Sequence, residues 1–217
     1  MKNKVVLFDI DHTMFNTDLY LEKAFMCIAG KINGFSKEEI LTIAKKTYMH
    51  MREIDVFHPR KFAEDLNAYL GGKTDIEKII DCLENQELLT SCIYSDVYIS
   101  LQNLAQVSGI TLGIFSSGDA KLQIAKINSL QRFFAQNDIH IYPLKDIQIS
   151  QVLNQYHGQK MYIVDDLLRI LHEVKNISVT TTVIWMKRID PDYHDGEVEN
   201  FVPDKQIATL SEVISII

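Results

Sequence analysis

The chain contains no apolar run near the ~20 residues that a bilayer-spanning helix requires, so no membrane segment is expected. Positive charge does not dominate either: 22 Lys and Arg stand against 29 Asp and Glu, a formal net charge of −7. That balance disfavours a nucleic-acid binder working by broad phosphate neutralisation. One local cation can still reverse the field inside a cleft, so a small phosphorylated ligand remains open. Cysteine is scarce. Cys27, Cys82 and Cys92 are odd in number and form no C-x-x-C pair, and they read as buried or idle thiols in a reducing, cytoplasmic compartment. The histidines and cysteines lack ligand spacing, which argues against zinc. A phosphate-binding G-x-x-x-x-G-K-[ST] loop is missing, which argues against a nucleotide-triphosphate motor. The basic opening Met1-Lys2-Asn3-Lys4 leads into an apolar stretch that Asp9 cuts short, so no signal peptide is expected. Repeats and low-complexity segments are absent, and 217 residues suffice for one substantial core plus a smaller insert.

What is present begins at Val5-Val6-Leu7-Phe8, followed directly by Asp9-Ile10-Asp11-His12-Thr13. The short β-branched apolar run predicts a buried strand of a parallel sheet. Two carboxylates leave it at the C-terminal edge, where open α/β sheets put their sites. Acids this close repel, and a divalent cation or a shared proton would compensate.

The pattern then turns helical. Ser36-Lys37-Glu38-Glu39 and Thr74-Asp75-Ile76-Glu77 read as capping boxes. Ile40, Ile43, Ala44 and Thr47 form one helical face, and Phe62, Leu66 and Tyr69 another. Pro59 suits a first helical turn, and Gly71-Gly72 a helix end. Four or so short helices over residues 16–91 are predicted. From Ile93 strands and helices alternate: strands at Ile110–Phe115, Ile139–Tyr142, Lys160–Val164 and Thr180–Trp185, and helices after Asp96 (its cap), over Asp119–Ile127, from about Ile147 to Tyr156, over Leu167–Lys175, and over Ser211–Ile216. This alternation predicts a Rossmann-like three-layer α/β core with a parallel sheet and helices on both faces. The helical stretch interrupts it after its first strand as an inserted α-helical bundle.

Three further strand ends carry chemistry. Ser116-Ser117-Gly118-Asp119 puts hydroxyls and free backbone N–H groups where a phosphoryl oxygen could sit, although a plain turn and helix cap also fits. Met161-Tyr162-Ile163-Val164-Asp165-Asp166 ends in adjacent acids, read either as metal ligand plus orienting group or as acids on a helix N-terminus. Lys145 follows the Ile139–Tyr142 strand and is either a neutralising ammonium or a surface lysine, with Lys121 and Lys126 as rivals.

In this order, the acid pair, hydroxyl, lysine and second acid pair resemble motifs I to IV of the haloacid dehalogenase superfamily, over essentially the whole chain. Val164 stands where many members have glycine, and no proline follows Lys145. The resemblance implies a core of residues 1–15 and 92–217 and a helical cap of residues 16–91. It implies Asp9 as nucleophile and Asp11 as acid and base, with Asp9 ionised and Asp11 initially protonated. Mg²⁺ would sit on Asp9, Asp11 (through its backbone carbonyl), Asp165 and Asp166. Thr13, Ser116, Ser117 and Lys145 would hold the phosphoryl group. His12 is read as a loop residue. A dehalogenase would need neither the second Asp nor the metal, so the implied reaction is hydrolysis of a small phosphorylated metabolite. A phosphomutase of the β-phosphoglucomutase type and a non-catalytic binding or regulatory domain are the alternatives. His50, Arg52, His58 and Arg60 of the cap remain unassigned, Asp190, Asp192 and Asp195 read as an acidic surface loop, and Trp185 as core or cleft wall. The oligomeric state is not implied.

Overall fold

The computed structural model describes residues 4–54, 56–188 and 198–217, with only the backbone at 53 and 54. The acidic loop of Asp190, Asp192 and Asp195 lies outside the described residues. A six-stranded sheet forms the centre: β1 (Lys4–Phe8), β2 (Ile110–Ser117), β3 (Ile139–Tyr142), β4 (Lys160–Asp165), β5 (Thr182–Met186) and β6 (Lys205–Ile207). Their spatial order is β3-β2-β1-β4-β5-β6, and every pairing is parallel. Alternation along β1 explains the two-sided core. Val6 and Phe8 face one apolar cluster and Val5 and Leu7 the other. Helices α6 (Val97–Ala105) and α7 (Ala120–Lys126) contribute Leu101, Leu104 and Leu122 to the first cluster, whereas α8 (Ile149–Gln155) and α9 (Leu168–Ile177) contribute Val152, Leu153, Leu171 and Val174 to the second. The result is the three-layer architecture that the alternation predicts.

Between β1 and β2 stand α1 (Thr17–Lys31), α2 (Lys37–Ile54), α3 (Pro59–Tyr69), α4 (Ile76–Leu83) and α5 (Gln86–Thr90). They form the inserted helical cap, packed around Phe25, Ile28, Ile40, Phe62 and Leu66. Phe25 and Phe62 stack at 5.6 Å between centroids. Ser36 caps α2 as predicted: its hydroxyl accepts from Glu39 N at 3.2 Å, and Glu39 accepts from Ser36 N at 2.7 Å.

Several local expectations are corrected. Thr74 is not the α4 cap, because its N–H and hydroxyl both donate to Asn67 Oδ1; Asp75 takes the cap by accepting from Glu77 N, and the Glu77 carboxylate pairs with Arg60. Asp96 precedes α6 without capping it, since its carboxylate is taken by Arg188 and Leu210 N. Tyr69 is 62% exposed. A 3-10 turn, Asp146–Gln148, comes before α8, and the closing helix is itself 3-10, Leu210–Ser215. The edge strand β6 was not predicted.

The largest correction concerns the thiols. Cys27 on α1 and Cys82 on α4 form a disulfide with their Cα atoms 5.8 Å apart, while Cys92 is free and buried. Packing of α1 against α4 sets that proximity across 55 residues of sequence, which no local spacing reveals. Unpaired thiols therefore no longer support a reducing compartment. Among the described residues no helix is long and apolar enough to cross a membrane.

Candidate active site

Register brings the motifs together. Phe8 of β1 lies opposite Ile114 of β2 and Val164 of β4, and Asp9 N donates to Val164 O at 2.9 Å. Asp9, the first residue past β1, thus lies beside Asp165 at the end of β4 on one flank, and beside Phe115 and Ser116 near the end of β2 on the other. In this strand order the connections reverse between β1 and β4, the point where open α/β sheets bind ligands.

Asp9 is 4% exposed and Asp165 is fully buried. Lys145, 1% exposed, extends between them, its Nζ 2.5 Å from Asp9 Oδ1 and 2.6 Å from Asp165 Oδ2. Ser116 Oγ also donates to Asp9 Oδ1, at 3.0 Å. Both bonds fall on the same oxygen. The Ser117 hydroxyl accepts from Lys145 N at 3.2 Å, which ties the loop after β2 to the loop after β3. Asp165 Oδ1 accepts from Leu167 N at 3.0 Å. Thr13 is buried, and its Oγ1 has no hydrogen-bond partner among the described residues. Of the lysine candidates, Lys145 reaches Asp9, Lys121 pairs with Glu84 at the cap, and Lys126 binds Asp11.

Asp11 faces a different set. Lys126 Nζ donates to its Oδ1 at 2.6 Å, Gln123 Nε2 to its Oδ2 at 2.7 Å, and Thr17 Oγ1 to Oδ1. The ionisation order therefore differs from the expectation. Burial pushes Asp9 up to about 7, with Asp165 and Asp11 adding to the rise and Lys145 opposing it. For Asp11, burial also works upward, but the Lys126 ammonium and the bonds from Lys126, Thr17 and Gln123 outweigh it and hold the carboxyl well below the usual range. Lys145 is held charged above its ordinary value, because Asp165 and Asp9 outweigh the burial cost.

His12 takes φ 54°, the left-handed region open to glycine, within a turn closed by His12 N donating to Phe15 O. Its ring lies 3.6 Å from Asp18, consistent with a loop residue. The Trp185 indole donates to Asp166 O at 2.9 Å, so it lies against the second acid pair. In the cap, His58 reaches Asp119 at 3.1 Å, and Arg60 is spent on Glu77 at the surface.

Sequence reasoning missed three residues. Thr17 and Gln123 engage Asp11. Arg188, just past β5, donates through Nε and Nη2 to Thr13 O at 3.1 and 2.7 Å, and through Nη1 to both Asp96 oxygens at 2.9 Å. It also covers the Tyr94 ring at 4.2 Å. This planar fork ties the turn after β1 to α6. Arg188→Lys cannot reproduce it and is expected to cost roughly 1–3 kcal/mol in denaturant unfolding, the usual range for lost charged hydrogen bonds.

No family model matches the chain, and no curated protein does. Solved structures do. A haloacid dehalogenase-like hydrolase from Burkholderia xenovorans superposes with a TM-score of 0.79 at 20% identity, covering 100% of this chain and 97% of the other. The chain has the haloacid dehalogenase fold. The same fold is shared by the hydrolase YfnB from Bacillus subtilis bound to magnesium (TM-score 0.61, 17% identity, 100% and 99% covered). It is shared too by L-2-haloacid dehalogenase from Xanthobacter autotrophicus (TM-score 0.63, 15% identity, 100% and 98% covered). Haloacid dehalogenase folds thus include both a magnesium-bound hydrolase and a dehalogenase, so the choice of chemistry rests on the residues.

Among the described residues no three His, Cys, Asp or Glu side chains gather as a metal cluster. Mg²⁺ does not demand one, since it takes oxygen ligands, often only one or two carboxylates, and keeps several waters. Asp9 and Asp165, two buried carboxylates that already share one ammonium, fit that donor set. The Asp11 carboxylate is engaged with Lys126, Gln123 and Thr17.

Proposed function

We propose that the chain is a Mg²⁺-dependent phosphomonoester hydrolase acting on a small phosphorylated metabolite through an aspartyl-phosphate on Asp9. The observation that carries this is the sharing of one buried ammonium by Asp9 and Asp165, with Ser116 on the same Asp9 oxygen. Lys145 and Ser116 both occupy Oδ1, so Oδ2 is the oxygen left to attack phosphorus in line. The Lys145 ammonium and the Ser116 hydroxyl, both on Asp9, would neutralise phosphoryl charge. A phosphoryl oxygen would also give the orphaned Thr13 hydroxyl an acceptor. When bound, Mg²⁺ would offset the charge of Asp9, Asp165 and the phosphate together. Asp11, its carboxylate held by Lys126, Thr17 and Gln123, would take a proton from the water hydrolysing the intermediate and pass one to the leaving alcohol of the next turnover, so that protons balance over the cycle. With residues 16–91 taken as the cap, the helical insert would close over this site and select the leaving group.

The second carboxylate and the Asp165-Asp166 pair favour phosphate esters over the dehalogenase chemistry of the Xanthobacter structure. The test is phosphate release from an aryl phosphate and a metabolite-phosphate panel, with Mg²⁺ and with excess EDTA. Release that requires Mg²⁺ is the expected outcome. Chloride release from a 2-haloacid, or isomerisation of a phosphosugar without net phosphate, would replace the reading with a dehalogenase or a phosphomutase.

A further inference from the structure

Helix α7 presents two polar side chains to the interior, Gln123 at 2% and Lys126 at 5% exposure. They are three residues apart and so share a face of the helix. Lys126 grips Asp11 Oδ1 at 2.6 Å, and its ammonium lies 5.0 Å over the Phe15 ring. Gln123 Nε2 is shared among Asp11 Oδ2 at 2.7 Å, Ser117 O at 2.5 Å and Ser116 Oγ at 3.4 Å. That amide can face Asp11 only with its nitrogen, because its oxygen would meet a carboxylate. Ser116 in turn donates to Asp9, so Gln123 joins the Asp11 cluster to the nucleophile cluster. The loop is shaped for this reach. Gly118 has φ 136°, and a Cβ there would stand 2.9 Å from Gln123 Nε2.

We propose that Lys126 and Gln123 are positioning residues that orient the Asp11 carboxylate as the base for the second half of the reaction. The inference rests on the phosphatase reading above and extends it to two residues outside the four motifs. Every described contact to the Asp11 carboxylate is a donor, and together they fix both oxygens in direction. In the step concerned, water loses a proton to Asp11, its oxygen bonds to phosphorus, and the bond from phosphorus to Asp9 breaks to regenerate the Asp9 carboxylate. The orientation matters to that step, while attack of Asp9 on an aryl phosphate, whose leaving group needs no proton, proceeds without it.

The two half-reactions report separately in the kinetics. For an aryl phosphate, kcat/KM covers steps up to formation of the phosphoenzyme, and kcat covers its hydrolysis when that is slow. Lys126→Met is expected to lower kcat about 10–100-fold, a fraction of what general base catalysis supplies. KM should fall by a similar factor, leaving kcat/KM within about threefold. Acid-quenched phosphoenzyme should rise toward one per chain. Gln123→Met should act in the same direction, and Lys126→Arg should restore part of the loss. The Asp11 side chain retains 30% exposure, so water can replace the lost ammonium and the variant should fold; Lys126→Gln provides a second substitution if it does not. Wild-type kcat in the Met variants, or an equal loss of kcat and kcat/KM without phosphoenzyme, overturns the positioning role alone. A wild-type enzyme that forms no phosphoenzyme and releases no phosphate overturns this role together with the phosphatase reading.

Discussion

Asp9→Asn is expected to reduce phosphate release by on the order of 10,000-fold or more, the scale of loss when a covalent nucleophile is removed. The fold should survive, and the structure explains why. The introduced amide keeps an oxygen that can accept from Ser116 and from Lys145, so neither donor is stranded. Charge also becomes better balanced. With Asp9 ionised, the buried cluster sets two carboxylates against one ammonium; the substitution leaves Lys145 and Asp165 as a one-to-one pair. The metal-free variant should therefore unfold at or above the wild-type temperature while being inactive. Steady-state phosphate assays with thermal unfolding in EDTA check both halves. More than about 1% residual turnover would remove Asp9 from the nucleophile role. A large fall in melting temperature would contradict this charge balance.

Lys145→Met should do the reverse in stability and the same in activity. Lys145 is 1% exposed, and its removal leaves Asp9 and Asp165 facing each other across a buried gap with no cation. Breaking a buried ion pair by deleting one partner costs roughly 3–5 kcal/mol, a substantial share of the ~5–15 kcal/mol that holds a typical domain folded. Turnover should fall with it, because the same ammonium reaches the Asp9 oxygen beside which phosphate would be held. The Mg²⁺ reading adds a sharper expectation. A divalent cation on the two orphaned carboxylates should stabilise Lys145→Met more than wild type, since it relieves a larger repulsion. Melting curves with and without Mg²⁺ for both proteins give the comparison. Equal shifts would separate the metal from the Asp9–Asp165 pair.

The strand ends were legible because of how a parallel sheet buries its strands. Both faces of β1 and β4 are covered, so each strand reads as an unbroken apolar run. The run stops where the chain leaves the sheet, and Asp9 and Asp165 mark those points. Ser116 and Lys145 followed by order along the chain. The edge strand β6 leaves little trace in the sequence because it has three residues, and only Ile207 is buried. Gln123 and Lys126 were obscured for another reason. Polar residues spaced by three on a short helix ordinarily mark its wet side, and nothing local says that Asp11 lies beneath them. The sequence offers Lys126 only as a charge, an alternative to Lys145. Arg188 sits past the end of β5, and its partners Thr13 and Asp96 are distant in sequence, so only the assembled sheet brings the three together. The ionisation order of Asp9 and Asp11 is equally a tertiary property: both are buried beside a lysine, but Asp9 also faces Asp165, whereas Thr17 and Gln123 add donors to Asp11.

The bond between Cys27 and Cys82 turns part of the chain into a closed ring holding α2 and α3. A protease that nicks the backbone anywhere inside that ring opens it without dividing the molecule. The cut chain keeps its full mass until a reductant separates the pieces, and each piece then carries one end of the helical bundle.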